Sequence, residues 1–296
     1  MNLYAWILAS RPKTLIASIA PILCSVMIVP SNKVNLSVLF TTLFAGIFIQ
    51  IGTNYINDLY DFLKGADSDN RVGPKRMVQS GKISQHSIKV GIITVFIIAL
   101  ICGIYLSFIY DWPKIKWPII LIGISSFCFG YLYTGGKYSL AYLGLGELFV
   151  FLYFGIIAVT GSYYLHTDKF FTKSSLLMGI IMGCANVILL VVNNIRDYHN
   201  DKLSHKKTLV VKYGQFFGQI EILIMFVIII VCSYELCIHI NSINTLFLLL
   251  LLSPLALIIL YDVIYKQGIA LNKTLFKTSI FILCYTLLFF YGIHYL

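Results

Sequence analysis

Long apolar blocks alternate with shorter polar segments along nearly the whole chain. Nine of these blocks approach the roughly 20 residues that a helix needs to cross the hydrocarbon core of a bilayer. They cover residues 14–30, 38–56, 88–110, 117–133, 143–165, 175–193, 216–239, 243–264 and 275–296. The pattern predicts an all-α integral membrane protein, a bundle of nine transmembrane helices, and nothing in it divides residues 1–296 into more than one domain.

Two polar segments are longer than the others, at residues 57–87 and 194–215. Long connections in a compact bundle are more often functional than idle. These two hold half of the 12 acidic residues of the chain, namely Asp58, Asp61, Asp67, Asp69, Asp197 and Asp201. We therefore look for the chemistry of the protein in these segments.

Composition strengthens the membrane assignment. The chain is 59% hydrophobic and only 11% charged, and its mean hydropathy is +0.87. A soluble domain of 296 residues needs far more polar surface. The first apolar block follows Arg11 and Lys13 without a small-residue cleavage pattern, so we interpret it as a retained helix rather than a signal peptide.

Basic residues predict the orientation, because they are enriched in the cytoplasmic segments of membrane proteins. With the N-terminus in the cytoplasm, 17 of the 22 Lys and Arg residues lie inside. The five outside are Lys33, Lys114, Lys116, Lys169 and Lys173. Both acidic segments then face the cytoplasm.

The acids repeat at helical spacing. Asp58 and Asp61 are three residues apart, and Asn57 precedes Asp61 by the same four residues that separate Asp197 from Asp201, so each set projects from one face of a helix. Like charges on one face repel, and a hard cation such as Mg²⁺ removes that repulsion while accepting phosphate oxygens as further ligands. The pattern predicts that the two acidic sets hold one diphosphate through Mg²⁺. The predicted catalytic residues are Asp58, Asp61, Asp197 and Asp201, and the predicted metal ligands are Asn57, Asp61, Asp67, Asp197 and Asp201.

Other polar residues near these acids complete the predicted site. Arginine grips phosphate through paired N–H groups, whereas lysine acts as a point charge. Glu147 lies just inside an apolar block, where a carboxylate is costly and its default interpretation is functional. The predicted diphosphate-binding residues are Arg11, Arg71, Arg196 and Lys137. The predicted substrate-pocket residues are Asn54, Tyr133, Glu147 and Asn193.

Several segments of the chain form a recognisable set: WILASRPKTLIASIAPIL, NDLYDFLKGAD with RVGPKRMVQSG, YTGG, LGLGE, NNIRDYHNDKLSHKKTLVVKYG and, more weakly, LNKTLFKTS. Together they resemble the UbiA superfamily of intramembrane prenyltransferases, and within it the branch that prenylates 1,4-dihydroxy-2-naphthoate in menaquinone biosynthesis. The likeness spans nearly the whole chain. One departure concerns the superfamily pattern NDxxDxxxD: its last acid position is Gly65 here, and Asp67 follows two residues later.

The resemblance implies a nine-helix bundle around a central cavity, in the cytoplasmic membrane of a bacterium. It implies that aspartates hold Mg²⁺, which holds the diphosphate of a polyprenyl donor whose tail leaves through a lateral opening to the lipid bilayer. It also implies that a naphthoate ring attacks the allylic cation and that CO₂ is lost from the attacked carbon. No nucleic acid and no obligate protein partner are predicted.

Two alternatives stay open at this point. One is prenylation of another aromatic acceptor such as 4-hydroxybenzoate, because acceptor choice depends on the shape of a pocket. The other is a membrane transporter, which also carries ionisable residues and a basic cytoplasmic face. Transporters place such residues near the middle of the bilayer, whereas most acids here are predicted at one face.

Overall fold

A computed structural model describes residues 2–65, 72–73, 76–136 and 139–296. Within these ranges the regular secondary structure is entirely helical. The α-helices are α1 Leu3–Ser10, α2 Ile16–Met27, α3 Leu36–Leu63, α4 Gln85–Ile104, α5 Trp117–Leu132, α6 Leu140–Leu143, α7 Gly146–Phe151, α8 Ala158–Thr167, α9 Lys173–Arg196, α10 Tyr198–Leu203, α11 Leu209–Tyr213, α12 Gln215–His239, α13 Ile243–Leu250, α14 Ser253–Tyr265 and α15 Leu271–Tyr295. Short 3₁₀ turns lie at Pro12–Thr14, Ser31–Lys33 and Gly268–Ala270, and π-helical segments lie at Tyr105–Ile109 and Leu152–Ile157.

The membrane assignment is confirmed, but the count of nine spans is not. In the described part of the chain, six helices are long and apolar enough to cross a bilayer, or eight if each of two bent pairs forms one span. The six are Leu36–Leu63, Gln85–Ile109, Gly146–Thr167, Lys173–Arg196, Gln215–His239 and Gly268–Tyr295. The bent pairs are α1 with α2 and α13 with α14, and α5 is a shorter apolar helix of 16 residues.

The N-terminal region differs from its prediction. The predicted span starts at residue 14, whereas the chain is already helical from Leu3 and bends by 50° between Leu3–Thr14 and Ile16–Met27. The break falls at Arg11, whose φ of 51° is left-handed, and at Pro12, which opens the following 3₁₀ turn. A left-handed residue followed by proline cannot continue an α-helix, so Arg11 lies at a kink rather than before a span.

The first acidic motif lies on a helix, as its spacing predicts, and this helix continues past the predicted end of the second span. Helix α3 starts after Asn35, whose side chain accepts the amides of Ser37 and Val38, and it continues to Leu63. The hydropathy pattern predicts that this span ends near residue 56, but polar residues beyond that point, such as Asn57, Asp58 and Asp61, are buried in the bundle. A helix continues wherever its polar side chains find partners, so the end of the apolar block did not mark the end of the helix.

Helix α9 is the centre of the larger hydrophobic core. It packs against α12, α15, α2 and the π-helical segment Leu152–Ile157, and most of its residues are buried. Its contact with the π-helical segment is backbone to backbone, since a Cβ on Gly155 would lie 2.4 Å from the Cα of Gly183. Helices α3 and α4 pack on each other around a smaller core that also holds residues 77–83.

The connecting segments gather at two opposite ends of the bundle. At one end Lys116 pairs with Asp111 and Asp168, and the amide of Asn35 donates to Nδ1 of His166. At the other end the Asn54 side chain donates to the carbonyl of Ser10, and the backbone amide of Lys207 donates to the carbonyl of Tyr142. Both aspartate motifs lie at this second end, which we call the motif end.

Candidate active site

A cavity of about 980 Å³ extends from the motif end into the bundle. Along α3 its wall runs from Asp61 to Thr42, a distance of roughly 28 Å at about 1.5 Å of rise per residue. Its wall is acidic and basic near the motifs, and farther in it is formed mostly by aliphatic and aromatic residues of α3, α5 and the π-helical segment Leu152–Ile157. Such a cavity can take a ligand that is charged at one end and apolar along its length.

Asp58 in the first motif is buried at the cavity wall, and its carboxylate is bound to backbone amides. Its two carboxylate oxygens accept the amide N–H groups of Met77 and Val78, each at 3.0 Å. A carboxylate held by two N–H groups is well stabilised as an anion without a cation. The geometry indicates that Asp58 fastens residues 76–78 to α3, and its predicted catalytic role stays a prediction.

Asp61 lies one turn further along α3, at the cavity wall. Its Oδ2 pairs with Nη2 of Arg76, and its Oδ1 accepts a hydrogen bond of 3.2 Å from the hydroxyl of Tyr142. Because Asp58 holds residues 76–78 in place, the position of Arg76 follows from that of Asp58. A guanidinium beside Asp61 can also neutralise a phosphate oxygen that approaches this carboxylate.

Asn57 and Lys64 connect the first motif to the segment after α5. The Oδ1 atom of Asn57 accepts the hydroxyl of Thr134. Lys64 donates to the carbonyl of Thr134 and to Oγ of Ser139, both at 2.7 Å, and its ammonium group lies 4.2 Å from the ring centroid of Tyr142. The end of α3 is therefore bound on this side as well.

The second motif lies where α9 ends. Arg196 donates from Nε and Nη2 to the two carboxylate oxygens of Asp197, at 2.8 and 2.6 Å. It also donates to Oδ1 of Asn193 at 2.8 Å and to Oδ1 of Asn272 at 3.0 Å. Arg196 is buried, and it holds the Asp197 carboxylate as a two-point pair.

Asp201 lies four residues later, in the short helix α10. Burial raises the pKa of its carboxyl to about 6; Lys206 opposes this rise, while the carboxylates of Asp197 and Asp61 add to it. The Lys206 ammonium lies 3.5 Å from Oδ1, and Oδ2 is buried with no hydrogen-bond partner among the described residues. Asp201 therefore carries a charge that the protein only partly compensates, and it is near enough to Asp61 to join the two motifs electrostatically.

These residues fit a hard divalent cation. Amide and carboxylate oxygens are the ligands that Mg²⁺ prefers, and an uncompensated oxygen such as Oδ2 of Asp201 gains most from one. Within the described ranges, no three acidic, histidine or cysteine side chains converge tightly enough to hold a metal by themselves. An ion at this site would thus complete its shell with water or with phosphate oxygens of a ligand, which is usual for Mg²⁺.

The predicted pocket residues all line the same cavity. Asn54 donates to the carbonyl of Ser10 at 2.9 Å and so holds the kink at Arg11 against α3. Glu147, at the start of α7, accepts a hydrogen bond of 2.8 Å from Asn194. Tyr133 lies at the end of α5, with its hydroxyl close to Gly146. Their predicted roles toward a substrate stay predictions.

Three predicted residues lie outside the described ranges, namely Asp67, Arg71 and Lys137. Conversely, the structure adds five partners that the sequence did not single out: Thr134, Tyr142, Asn194, Lys206 and Asn272. Four of the five belong to segments that the resemblance already included: Thr134 to YTGG, Asn272 to LNKTLFKTS, and Asn194 and Lys206 to NNIRDYHNDKLSHKKTLVVKYG. Tyr142 belongs to none of these segments.

Comparison with known proteins agrees with this geometry. A sequence model of the UbiA prenyltransferase family matches residues 18–293. The 1,4-dihydroxy-2-naphthoate octaprenyltransferase of Haemophilus influenzae is 30% identical over 254 residues, 84% of this chain and 82% of the relative. The enzyme of the same description from Bacillus subtilis is 35% identical over 214 residues, 69% of this chain but only 64% of the relative. A UbiA homolog from Archaeoglobus fulgidus, solved with DMAPP and Mg²⁺, has the same fold, with a TM-score of 0.65, 15% identity, and coverage of 96% of this chain and 98% of that one.

The helical membrane fold and the match over residues 18–293 are those of a family of prenyltransferases. The chain belongs to the UbiA prenyltransferase family. It is therefore an integral membrane enzyme rather than a transporter.

Proposed function

We propose that this enzyme transfers a polyprenyl chain from polyprenyl diphosphate to 1,4-dihydroxy-2-naphthoate, with loss of CO₂ and diphosphate, to give demethylmenaquinol in menaquinone biosynthesis. The observation that carries the proposal is the placement of both aspartate motifs at the mouth of one cavity with a long apolar interior. The named activity of its relatives from H. influenzae and B. subtilis supports the choice of acceptor.

The motif end binds the diphosphate head of the donor. Bound Mg²⁺ supplies positive charge that stabilises the departing diphosphate. In this proposal Asn57, Asp61, Asp197 and Asp201 present oxygen atoms to the metal, and Asp67 joins them. Arg11 and Arg76, both on the cavity wall, supply further positive charge to the phosphate oxygens, and Arg71 and Lys137 remain candidates for the same role.

The apolar interior receives the prenyl tail and keeps water away. An allylic cation formed in a wet site is quenched by water, so a dry wall favours attack by the acceptor ring. Three rings of this wall, Phe129, Phe149 and Tyr153, have centroids 4.6 to 6.3 Å apart and shield positive charge through their π faces. Tyr133 and Glu147 lie near this wall, within reach of the hydroxyl groups of an acceptor.

We further propose that residues 1–296 form one transmembrane prenyltransferase domain in the cytoplasmic membrane of a bacterium. The distribution of basic residues supports a cytoplasmic N-terminus and a cytoplasmic motif end. The enzyme then meets its charged substrates at the cytoplasmic surface and passes its apolar product into the bilayer.

The test uses purified protein in detergent with a polyprenyl diphosphate, Mg²⁺ and a panel of aromatic acids. We expect prenylation of 1,4-dihydroxy-2-naphthoate with release of CO₂, measured by mass spectrometry, and we expect EDTA to stop the reaction and added Mg²⁺ to restore it. Prenylation of 4-hydroxybenzoate in place of the naphthoate would overturn the acceptor assignment. Full activity in excess EDTA would overturn the role of Mg²⁺.

A further inference from the structure

The hydrogen bonds of Arg196 leave little of its guanidinium for a substrate. A guanidinium has five N–H groups. Two of them go to the carboxylate of Asp197, one goes to Asn193 and one goes to Asn272. One N–H group is left, so a two-point grip on phosphate would require Arg196 to give up a bond that it already makes.

Of the partners of Arg196, Asn272 is the most distant in the sequence. Its Oδ1 accepts from Nη1 of Arg196 at 3.0 Å, and its Nδ2 donates to the carbonyl of Val72 at 3.2 Å. The opposite amide orientation would set an NH₂ group against the guanidinium and an oxygen against a carbonyl, so the two contacts together require this one. Asn272 thus spans from the start of α15 to both motif segments.

We propose that Arg196 and Asn272 are positioning residues that orient the Asp197 carboxylate toward Mg²⁺, and that Arg196 is not a ligand of the diphosphate. This revises the diphosphate-binding role that the sequence predicts for Arg196. The inference rests on the proposed function for the identity of the ligand, a diphosphate with Mg²⁺. Residues that orient a metal-binding carboxylate typically contribute about 10- to 100-fold to metal affinity.

The test measures binding rather than turnover. The wild-type protein in detergent is titrated with Mg²⁺ in the presence of inorganic pyrophosphate, and the rise in Tm reports binding, because a ligand of the folded state stabilises it. The variants are Asn272→Ala, Asn272→Asp and Arg196→Lys. The matched control is Asn244→Ala, which removes an exposed asparagine that lies away from the cavity and whose side chain donates, among the described residues, to the carbonyl of Leu296.

We expect Asn272→Ala to raise the Mg²⁺ concentration for half-maximal stabilisation about 10-fold, and Arg196→Lys to raise it about 10- to 100-fold. Asn272→Asp keeps an oxygen for Arg196 and adds a negative charge that strengthens this contact, while its second oxygen loses the bond to Val72 and faces that carbonyl. We expect the net change to stay within about threefold of the wild type. At saturating Mg²⁺ the pyrophosphate affinity of Arg196→Lys should return to about the wild-type value. Asn244→Ala should match the wild type throughout.

Three results would overturn the inference. They are an Asn272→Ala variant with wild-type Mg²⁺ dependence, an Asn272→Asp variant as weak as Asn272→Ala, and a loss of pyrophosphate affinity in Arg196→Lys that persists at saturating Mg²⁺. The last result would make Arg196 a diphosphate ligand after all. A wild-type protein that Mg²⁺ and pyrophosphate do not stabilise would also overturn it. None of these measurements uses an aromatic acceptor, so failure of the naphthoate assignment is scored separately, in the acceptor panel.

Discussion

The two aspartate motifs reach one cavity by different structural means. In the first motif, Asp58 and Asp61 depend on partners that are 15 to 81 residues away in the sequence, in residues 76–78 and at Tyr142. In the second motif, Asp197 is held by the adjacent Arg196 and Asp201 by Lys206, five residues further on. The first motif is therefore positioned by tertiary packing, and the second largely by its own sequence.

The supporting helices differ in the same direction. Helix α9 ends directly before the second motif and is buried on most sides, whereas α3 carries the first motif and is buried mainly in its last three turns. A motif that follows a well-packed helix can keep its position even though Oδ2 of Asp201 has no partner among the described residues. We infer that the second motif tolerates changes to its charges better than the first tolerates changes to its partners.

The largest expected effect is loss of prenyl transfer on neutralising the carboxylates that face the cavity. Asp61→Asn and Asp197→Asn should each lower kcat/KM by at least about 100-fold, because each removes charge from the site that holds the diphosphate. The comparison predicts equal losses, measured by product formation in detergent. Asp111→Asn, which alters a carboxylate at the opposite end of the bundle, is the control and should keep wild-type activity. Activity of either cavity variant above a tenth of the wild type would contradict the shared site.

The next effect separates Asp58 from Asp61 on the same helix. In Asp58→Asn only one oxygen remains for the two amides of Met77 and Val78, so we expect a loss of about 1–3 kcal/mol in the free energy of unfolding. As long as this variant is folded, the Mg²⁺ concentration for half-maximal stabilisation in the presence of pyrophosphate should equal that of the wild type. Thermal unfolding with and without Mg²⁺ measures both quantities. An Asp58→Asn protein with wild-type stability whose Tm does not rise on addition of Mg²⁺ would assign Asp58 to the metal instead.

Neutralising Asp201 is expected to change stability by a smaller amount and in the opposite direction, because it should stabilise the metal-free protein. Asp201→Asn removes a buried charge whose Oδ2 has no partner among the described residues, and we expect the metal-free protein to gain about 1 kcal/mol of stability. Prenyl transfer should fall at the same time, because functional residues are often retained although they destabilise the folded protein. Chemical unfolding of the metal-free variant gives the first number. A less stable variant would show that Asp201 is satisfied without a cation.

The smallest effect tests the outer partner of Asp61. Tyr142→Phe keeps the ring beside Lys64 and removes one hydrogen bond of 3.2 Å. A single such bond contributes about 0.5–1.5 kcal/mol, so we expect kcat/KM to fall by no more than about 10-fold. A loss as large as that of Asp61→Asn would mean that Tyr142 takes part in the chemistry itself.

The comparison also explains how much of the site the sequence could predict. Spacing and basic residues predict that both motifs lie at one end of a helical membrane bundle, and the structure places them there. For the second motif, the sequence analysis assigned Arg196 to the diphosphate, and it did not predict the local contact between Arg196 and Asp197. For the first motif, the spacing shows which side chains share a face of α3, but it does not show which residues pack against that face.

The residues that pack against a helix face come from segments that are distant in the sequence. No local pattern links Asp58 to the amides of residues 77 and 78, or Arg196 to Asn272. The extension of α3 to Leu63 was missed for a related reason. Hydropathy reports where the chain leaves the hydrocarbon, and the helix ends where its hydrogen bonds end.

The backbone contact between Gly155 and Gly183 has a consequence for the path of the lipid. Two chain segments that touch without side chains between them have no slack, so they cannot part and close again cheaply. That side of the bundle behaves as a solid partition. We expect the long tail to pass instead between α3 and α5, which meet through side chains such as Tyr60 and Tyr131, so that rotamer changes can widen a gap.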